Sequence, residues 1–451
     1  MSEENKITTG IISIKELLEM KNLKIPDYQR PYKWKAKNVN QLIDDILFHK
    51  DKQGYRLGTL VLHKDKDNEN NKDIFNIVDG QQRVITIFLL AYGLNSHEEL
   101  NDSNKINFSN LCLPNNIISR NNINANYYGV IEKRIGEFDN SNIEFFLNKC
   151  QLVKVVIDDV DVQEAFQFFD SQNARGKDLE PHDLLKAFHL REMNNFSTEA
   201  ERIKVVEEWE NLDSEELKYL FDKYLFKIKN WSKGNSASYF RKNDIDIFKG
   251  VNLESQNYTF MKQLQINSYY VDKQNEAERV NNYHFYYPFQ IDQIVINGKR
   301  FFEMVIYYNN LIKDINKLKE TSKKDTVEYD ILNTLDTYKG HNRSGDRYVR
   351  NMFNCALLYY IDKFGKIDLD KAIKKIFIWA YTRRLELSAV KLASVDNYAS
   401  AEKSIFRKLN YAINHNEILL LNINSIKKEN IKREIKELEN LFEELKYYVS
   451  K

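Results

Sequence analysis

The chain reads as an α+β protein, with a small N-terminal sheet and its helices followed by a mostly α-helical C-terminal region. Three observations predict this. Short runs of β type, "YRLGTLVLH", "DIFNIVDG" and "CQLVKVVIDD", all lie before residue 160. From about residue 200 onward apolar residues recur at helical spacing. At 451 residues the chain exceeds a typical single domain, so more than one compact unit is expected, with boundaries at 1–195 and 196–451.

Taken in order, residues 11–21 place Ile14, Leu17 and Leu18 at helical spacing. "KIPDYQRPYKW" then breaks the pattern: Pro26 and Pro31 fix their own backbone and restrain the residues before them, so 25–34 is expected to be an ordered extended loop. "NVNQLIDDILFH" suits an amphipathic helix. Two β runs follow, separated by "KDKDNENNK", which reads as a hairpin loop, and a helix over 81–94 starts directly after Asp79-Gly80. Residues 95–125 are rich in Asn and Ser and read as a surface excursion. "CQLVKVVIDD" is another strand, and 162–193 read as helix, polar loop, helix, with Pro181 at a first helical position and Gly176 relieving the loop. Long helices are expected over 347–364 and 371–385. In the tail, Ile431, Ile435, Leu438, Phe442, Leu445 and Val449 make one apolar stripe on a helix over about 426–449, packed on its own domain or paired as an intermolecular coiled coil in a homo-oligomer.

Bulk composition narrows the classes of function. A formal charge of +1, from 67 Lys and Arg against 66 Asp and Glu, gives no global pull toward nucleic acid or anionic lipid, so such contacts need a local patch. Aromatic residues at 13% support a packed fold. Cys112, Cys150 and Cys355 match neither a disulfide framework nor a zinc cluster, which fits a reducing compartment. No window approaches the ~20 apolar residues of a membrane span, and "MSEENKITTGIISIKELLEM" has no apolar run of signal-peptide length. A cytoplasmic protein without membrane contact is expected. The eight histidines include no HExxH or zinc-spaced set, and there is no GxSxG.

Three polar clusters stand out. The turn Asp79-Gly80-Gln81-Gln82-Arg83 sits at a helix mouth, where backbone N–H groups and the positive end of the helix dipole favour an anion such as phosphate. The other reading is an Asp79 N-cap with Arg83 in a surface ion pair. It is not a Walker A loop. The second cluster, Tyr28, Gln29 and Arg30, lies between two prolines, where a stiff loop loses little entropy on fixing a phosphate or base; its aromatic neighbours equally pin the loop to the core. The third, Asn173, Arg175, Gly176 and Lys177, precedes a helix and alone reads as a solvated loop. Together the three point to one shared anionic ligand. Arg383, Arg384, Lys403, Arg407 and Lys408 lie near aromatics and are either solvated helix faces or a DNA groove.

"IPDYQRPYKW", "LGTLVL", "IVDGQQRVITI" and "FFDSQNARGKDLEPHDLLKAF", in this order and spacing, resemble the DGQQR-motif N-terminal domain of GmrSD-type modification-dependent restriction proteins, also found in SspE-like phage-defence effectors. The likeness covers about residues 10–190. It implies a core similar to the ParB and sulfiredoxin fold, with a site that binds and hydrolyses NTP (GTP, ATP or CTP) with Mg²⁺. By that resemblance Asp79, Gln82 and Arg83 are the catalytic candidates and Asp79 the metal ligand. Tyr28, Gln29, Arg30, Gly80, Gln81, Asn173, Arg175, Gly176 and Lys177 are the nucleotide-binding candidates. Chemically, Arg83 and Arg30 can stabilise charge on phosphate oxygens, and Asp79 can hold the ion, orient a water or cap the helix. Single-chain members carry a C-terminal HNH nuclease module whose pattern is not found after residue 200, so the expectation is an NTPase sensor that meets DNA, including modified phage DNA, and works with a separate HNH nuclease partner. The alternatives are a nucleotide-switched DNA- or protein-binding module that does not hydrolyse, and a DNA endonuclease in its own right.

Overall fold

The computed structural model describes residues 7–26, 29, 31–66, 72–96, 106–107, 111–114, 116–158, 180–193, 197, 199–255, 257–277 and 285–449. The chain divides into two units. One comprises Met1–Leu179, Lys186–Leu190 and Glu199–Glu210, the other Glu180–Leu185, Arg191–Thr198 and Asn211–Lys451. The α+β class holds, with a five-stranded sheet in the first unit and a mostly helical second.

The sheet starts earlier than helical spacing in 11–21 suggests. Strand β1 (Ile7–Ser13) runs until Ser13, whose Oγ accepts the Glu16 amide at 3.2 Å while the Glu16 carboxylate accepts the Ser13 amide at 2.7 Å. This reciprocal capping box switches the chain from strand to the short helix α1 (Ile14–Leu18). A two-residue strand, β2 (Leu23–Lys24), precedes the proline loop, and α2 (Ala36–Phe48) follows it. Strands β3 (Tyr55–Lys66) and β4 (Asp73–Asp79) pair as an antiparallel hairpin, and α3 (Gln81–Asn95) leaves β4 after one residue. The Asn-rich stretch holds a correction: Ile117–Asn126 is a helix, α4, rather than a surface excursion. Strand β5 (Cys150–Ile157) inserts between β1 and β3, antiparallel to the first and parallel to the second. The spatial order is β1-β5-β3-β4-β2.

Burial explains why α3 lies where it does. Val84 to Ala91 are all buried, so this helix is apolar nearly all round and must be enclosed. Leu60, Leu62, Ile77 and Leu152 of the sheet join Ile85, Ile87, Leu42, Ile43 and Phe146 in one core cluster. The mouth of α3 is thereby fixed to the end of β4.

In the second unit the long helices appear as expected, at Ser344–Phe364 and Leu369–Glu386; Pro181 opens the helix Pro181–Met193, whose residues divide between the two units. Tyr308, Tyr359, Tyr360 and Tyr381 are buried among them. The expected tail helix is broken into parts. Only Lys436–Glu444 is α-helical, with a single 3-10 turn at Lys428–Asn430. Lys446, at φ +63, turns the chain back so that Tyr448–Val449 (β7) pairs in parallel with Ile426–Lys427 (β6). Phe442 meets Phe377 at 5.3 Å, so the helix packs on its own unit and Ile431 and Val449 lie outside it.

Candidate functional site

The strand-to-helix turn is built around two glycines. Gly80 takes φ +93 and is itself the N-cap of α3, so Asp79 is not the cap; it is the last residue of β4. A Cβ on Gly80 would lie 3.0 Å from the Thr59 carbonyl oxygen, because β3 passes directly behind the turn. Gly58 on β3 takes φ +134, and its missing Cβ is the space occupied by Arg83, whose Nη1 would be 2.6 Å from it. The Arg83 guanidinium therefore lies flat on the strand, with Nη1 donating to the Thr59 carbonyl at 3.3 Å. Burial holds Arg83 below its usual pKa, and the charge of Asp79 pushes the other way. The surface ion pair expected for Arg83 is thus replaced by a half-buried cation beside a carboxylate.

Gln82 and Gln29 act as stitches. The Gln82 Oε1 accepts the amides of Lys33 at 2.7 Å and Trp34 at 3.2 Å, while its Nε2 donates to the Pro31 carbonyl at 3.0 Å. Both acceptor directions and one of the two donor directions of this carboxamide go to the loop backbone. Gln29 Nε2 donates to the carbonyls of Ile77 at 2.8 Å and Val78 at 2.9 Å. Those carbonyls sit at a bulge in β4: Val61 faces Asp79 and Leu62 faces Ile77, leaving Val78 without an opposite residue. A bulge leaves ladder groups unpaired, and Gln29 supplies a missing donor.

A set of residues that composition pointed away from completes the loop. Tyr32 is fully buried, and its hydroxyl meets Thr86 Oγ1 at 2.8 Å. Its amide donates to Ser119 Oγ at 2.8 Å, and Asn122 Nδ2 donates to its carbonyl at 2.8 Å. Asn126 Nδ2 donates to the Trp34 carbonyl at 2.8 Å and to the Tyr32 hydroxyl at 3.2 Å. Ser119, Asn122 and Asn126 are spaced as i, i+3 and i+7, one helical face, and that spacing was the available signal.

Among the sequence candidates, the structure brings Gln29, Gly80, Gln82 and Arg83 to this one turn, with Asp79 leading into it. Gln81 is buried at the first helical position. Tyr28 and Arg30, and the whole third cluster of Asn173, Arg175, Gly176 and Lys177, lie outside the described residues. Gln82 and the Gln29 amide nitrogen bond protein backbone in this arrangement. For Mg²⁺, the described residues form no cluster of three or more His, Cys, Asp or Glu side chains. Asp79 supplies one carboxylate, and magnesium is commonly held by one or two carboxylates plus substrate oxygens, so it fits an ion that arrives with phosphates. The basic pair on the helical unit resolves differently. Arg384 is buried, with Nε 2.6 Å from Asp346 Oδ1, and Arg383 sits over the Tyr398 ring near Glu386. Arg384 therefore belongs to the core rather than to a DNA groove. No helix of the described residues is long and apolar enough to cross a membrane.

A five-stranded sheet with a glycine-turned, arginine-bearing helix mouth, ahead of a helical unit, defines a two-part protein of α+β class. The model of the GmrSD restriction endonuclease N-terminal domain matches residues 14–190, and that of a family of unknown function, DUF7834, matches residues 201–437. The chain belongs to the DUF7834 family and carries a GmrSD-type N-terminal domain ahead of it. No curated protein matches the chain.

Proposed function

We propose that the N-terminal unit binds a nucleoside triphosphate at the mouth of α3 and hydrolyses it, and that the protein serves as the sensor subunit of an anti-phage or modification-dependent restriction system. The observation that supports this most is the Arg83 guanidinium, held half-buried over Gly58 beside Asp79 at the positive end of a long helix. A cation fixed by packing needs no reorganisation when charge develops on phosphate oxygens. Asp79 would hold the Mg²⁺ that accompanies the phosphates, and that ion would supply charge neutralisation. Gln82 contributes by holding the loop 31–34 against the helix. DNA, including modified phage DNA, is the proposed signal, and cleavage is assigned to a separate HNH nuclease partner.

The test is turnover of GTP, ATP and CTP by the full chain and by Asp79→Ala and Arg83→Ala. Turnover lost in both variants with the fold retained supports the reading. Failure of the unaltered chain to bind any of the three nucleotides overturns it. One observation favours a second reading, a switch without hydrolysis: the Gln82 side chain couples the loop directly to the helix mouth, which is the linkage a conformational relay needs. Nucleotide recovered unhydrolysed after long incubation, with altered protection of residues 31–34, would select it.

A further inference from the structure

The helical unit holds a half-open cavity of about 340 Å³ that the N-terminal site does not use. Its wall is a π-helical turn, Leu220–Leu225, set within a helical run that continues from Ser214 to Trp231. Such turns are rare and recur at functional sites, because the extra residue re-aims the side chains around it. Here Phe221 and Asp222 lie on the turn and line the cavity. Phe221 stacks with Phe240 at 5.8 Å and 19°, and Tyr239 adds a further ring that is about half exposed.

Charge decides what the cavity accepts. Asp222 is satisfied within the protein: its Oδ1 accepts the Phe240 amide at 2.9 Å and its Oδ2 takes the Lys223 ammonium at 2.6 Å. Glu180 is paired with Lys218 at 3.0 Å. Arg241 is exposed, has no carboxylate partner among the described residues, and rests over the Tyr239 ring at 5.8 Å. Among the described residues the lining therefore offers aromatic faces and one guanidinium without a carboxylate partner, a combination suited to a flat ring carrying an anion.

We propose that this cavity binds a nucleotide unit, with its base against Tyr239 and Phe240 and its 5′-phosphate on Arg241. The volume lies at the small end of ligand sites and suits one nucleotide rather than a strand. A free mononucleotide and the 5′-phosphorylated end of a DNA strand present the same chemistry. The site is independent of the nucleotide reading of the N-terminal unit.

Equilibrium dialysis of the full chain tests it, with radiolabelled dAMP and dCMP and with tetranucleotides that carry or lack a 5′-phosphate. The Arg83→Ala background removes the N-terminal site, and saturable binding should persist there. Arg241→Ala should weaken binding on the order of tenfold or more, as expected for charge-assisted bonds. Tyr239→Ala, a second exposed position, should weaken it by about tenfold through lost stacking. Preference for the phosphorylated tetranucleotide would identify a DNA end as the source, and preference for the mononucleotides a free ligand. Absence of saturable binding to every probe overturns the proposal. So does binding that neither variant weakens, or binding indifferent to the phosphate.

Discussion

At the scale of single residues, the turn depends on what two glycines leave out. Gly58→Ala places a methyl group where the Arg83 guanidinium lies and forces φ +134 on an L residue. The backbone term costs about 1–3 kcal/mol. The guanidinium, at the end of a flexible chain, moves aside. The expected result is a loss of stability of that size in urea denaturation together with a loss of nucleotide affinity, since the cation has left its place. Gln82 gives a complementary prediction. Its Oε1 accepts the Lys33 and Trp34 amides, so Gln82→Ala should speed hydrogen exchange at both, while Gln82→Glu keeps the acceptor and most of the protection. Unchanged exchange in Gln82→Ala would remove the stitching role.

At the scale of elements, α4 is the support that the loop rests on. Tyr32→Phe removes a buried hydroxyl from Thr86 and Asn126 and should cost about 1–3 kcal/mol by leaving buried polar groups unpaired, measured by thermal or urea unfolding. The sequence made the β3–β4 hairpin, the apolar α3 and the two long central helices legible, because each carries its own period or turn chemistry over several residues. It hid α4, whose buried face is polar: Ser119 and Asn126 look like surface residues until the loop backbone they serve is known. The turn from Asp79 to Arg83 was legible as a location. The hydrogen bonds that Gln29 makes to the bulge and Gln82 to the loop were not, because a carboxamide that meets a ligand and one that meets backbone are the same residue in one dimension. The tail misled for a related reason. Its spacing of three and four continues past Glu444, but the positive φ of Lys446 and the pairing of β6 with β7 override the period.

At the scale of the whole molecule, three ionisable groups of the helical unit, Arg384, Asp346 and Asp362, bear on stability. Arg384 and Asp346 pair in the core of the helical unit, with Tyr338 donating to the same carboxylate at 2.7 Å. Arg384→Ala leaves an uncompensated buried anion and should cost about 3–5 kcal/mol, read as a lowered urea midpoint. Asp362 sets a pH dependence. Burial pushes its carboxyl up from 3.8 to about 7, despite donors from the Ile291 amide and the Tyr308 hydroxyl. The folded state therefore binds more protons than the unfolded state between those values, so this contribution is fully present below about pH 4 and is lost as pH rises through about 7. Asp362→Asn should flatten the stability profile over that window, and an unchanged slope would assign it to other groups. The stitched turn also carries a consequence for biosynthesis. Gln29 reaches forward 48 and 49 residues to the bulge, and Tyr32 reaches 87 to Ser119 and 94 to Asn126. Closing such long loops comes late in folding. On the ribosome, the turn can form in outline once β4 and α3 have emerged, yet the loop that faces it has no complete set of partners until residue 126 has cleared the exit tunnel.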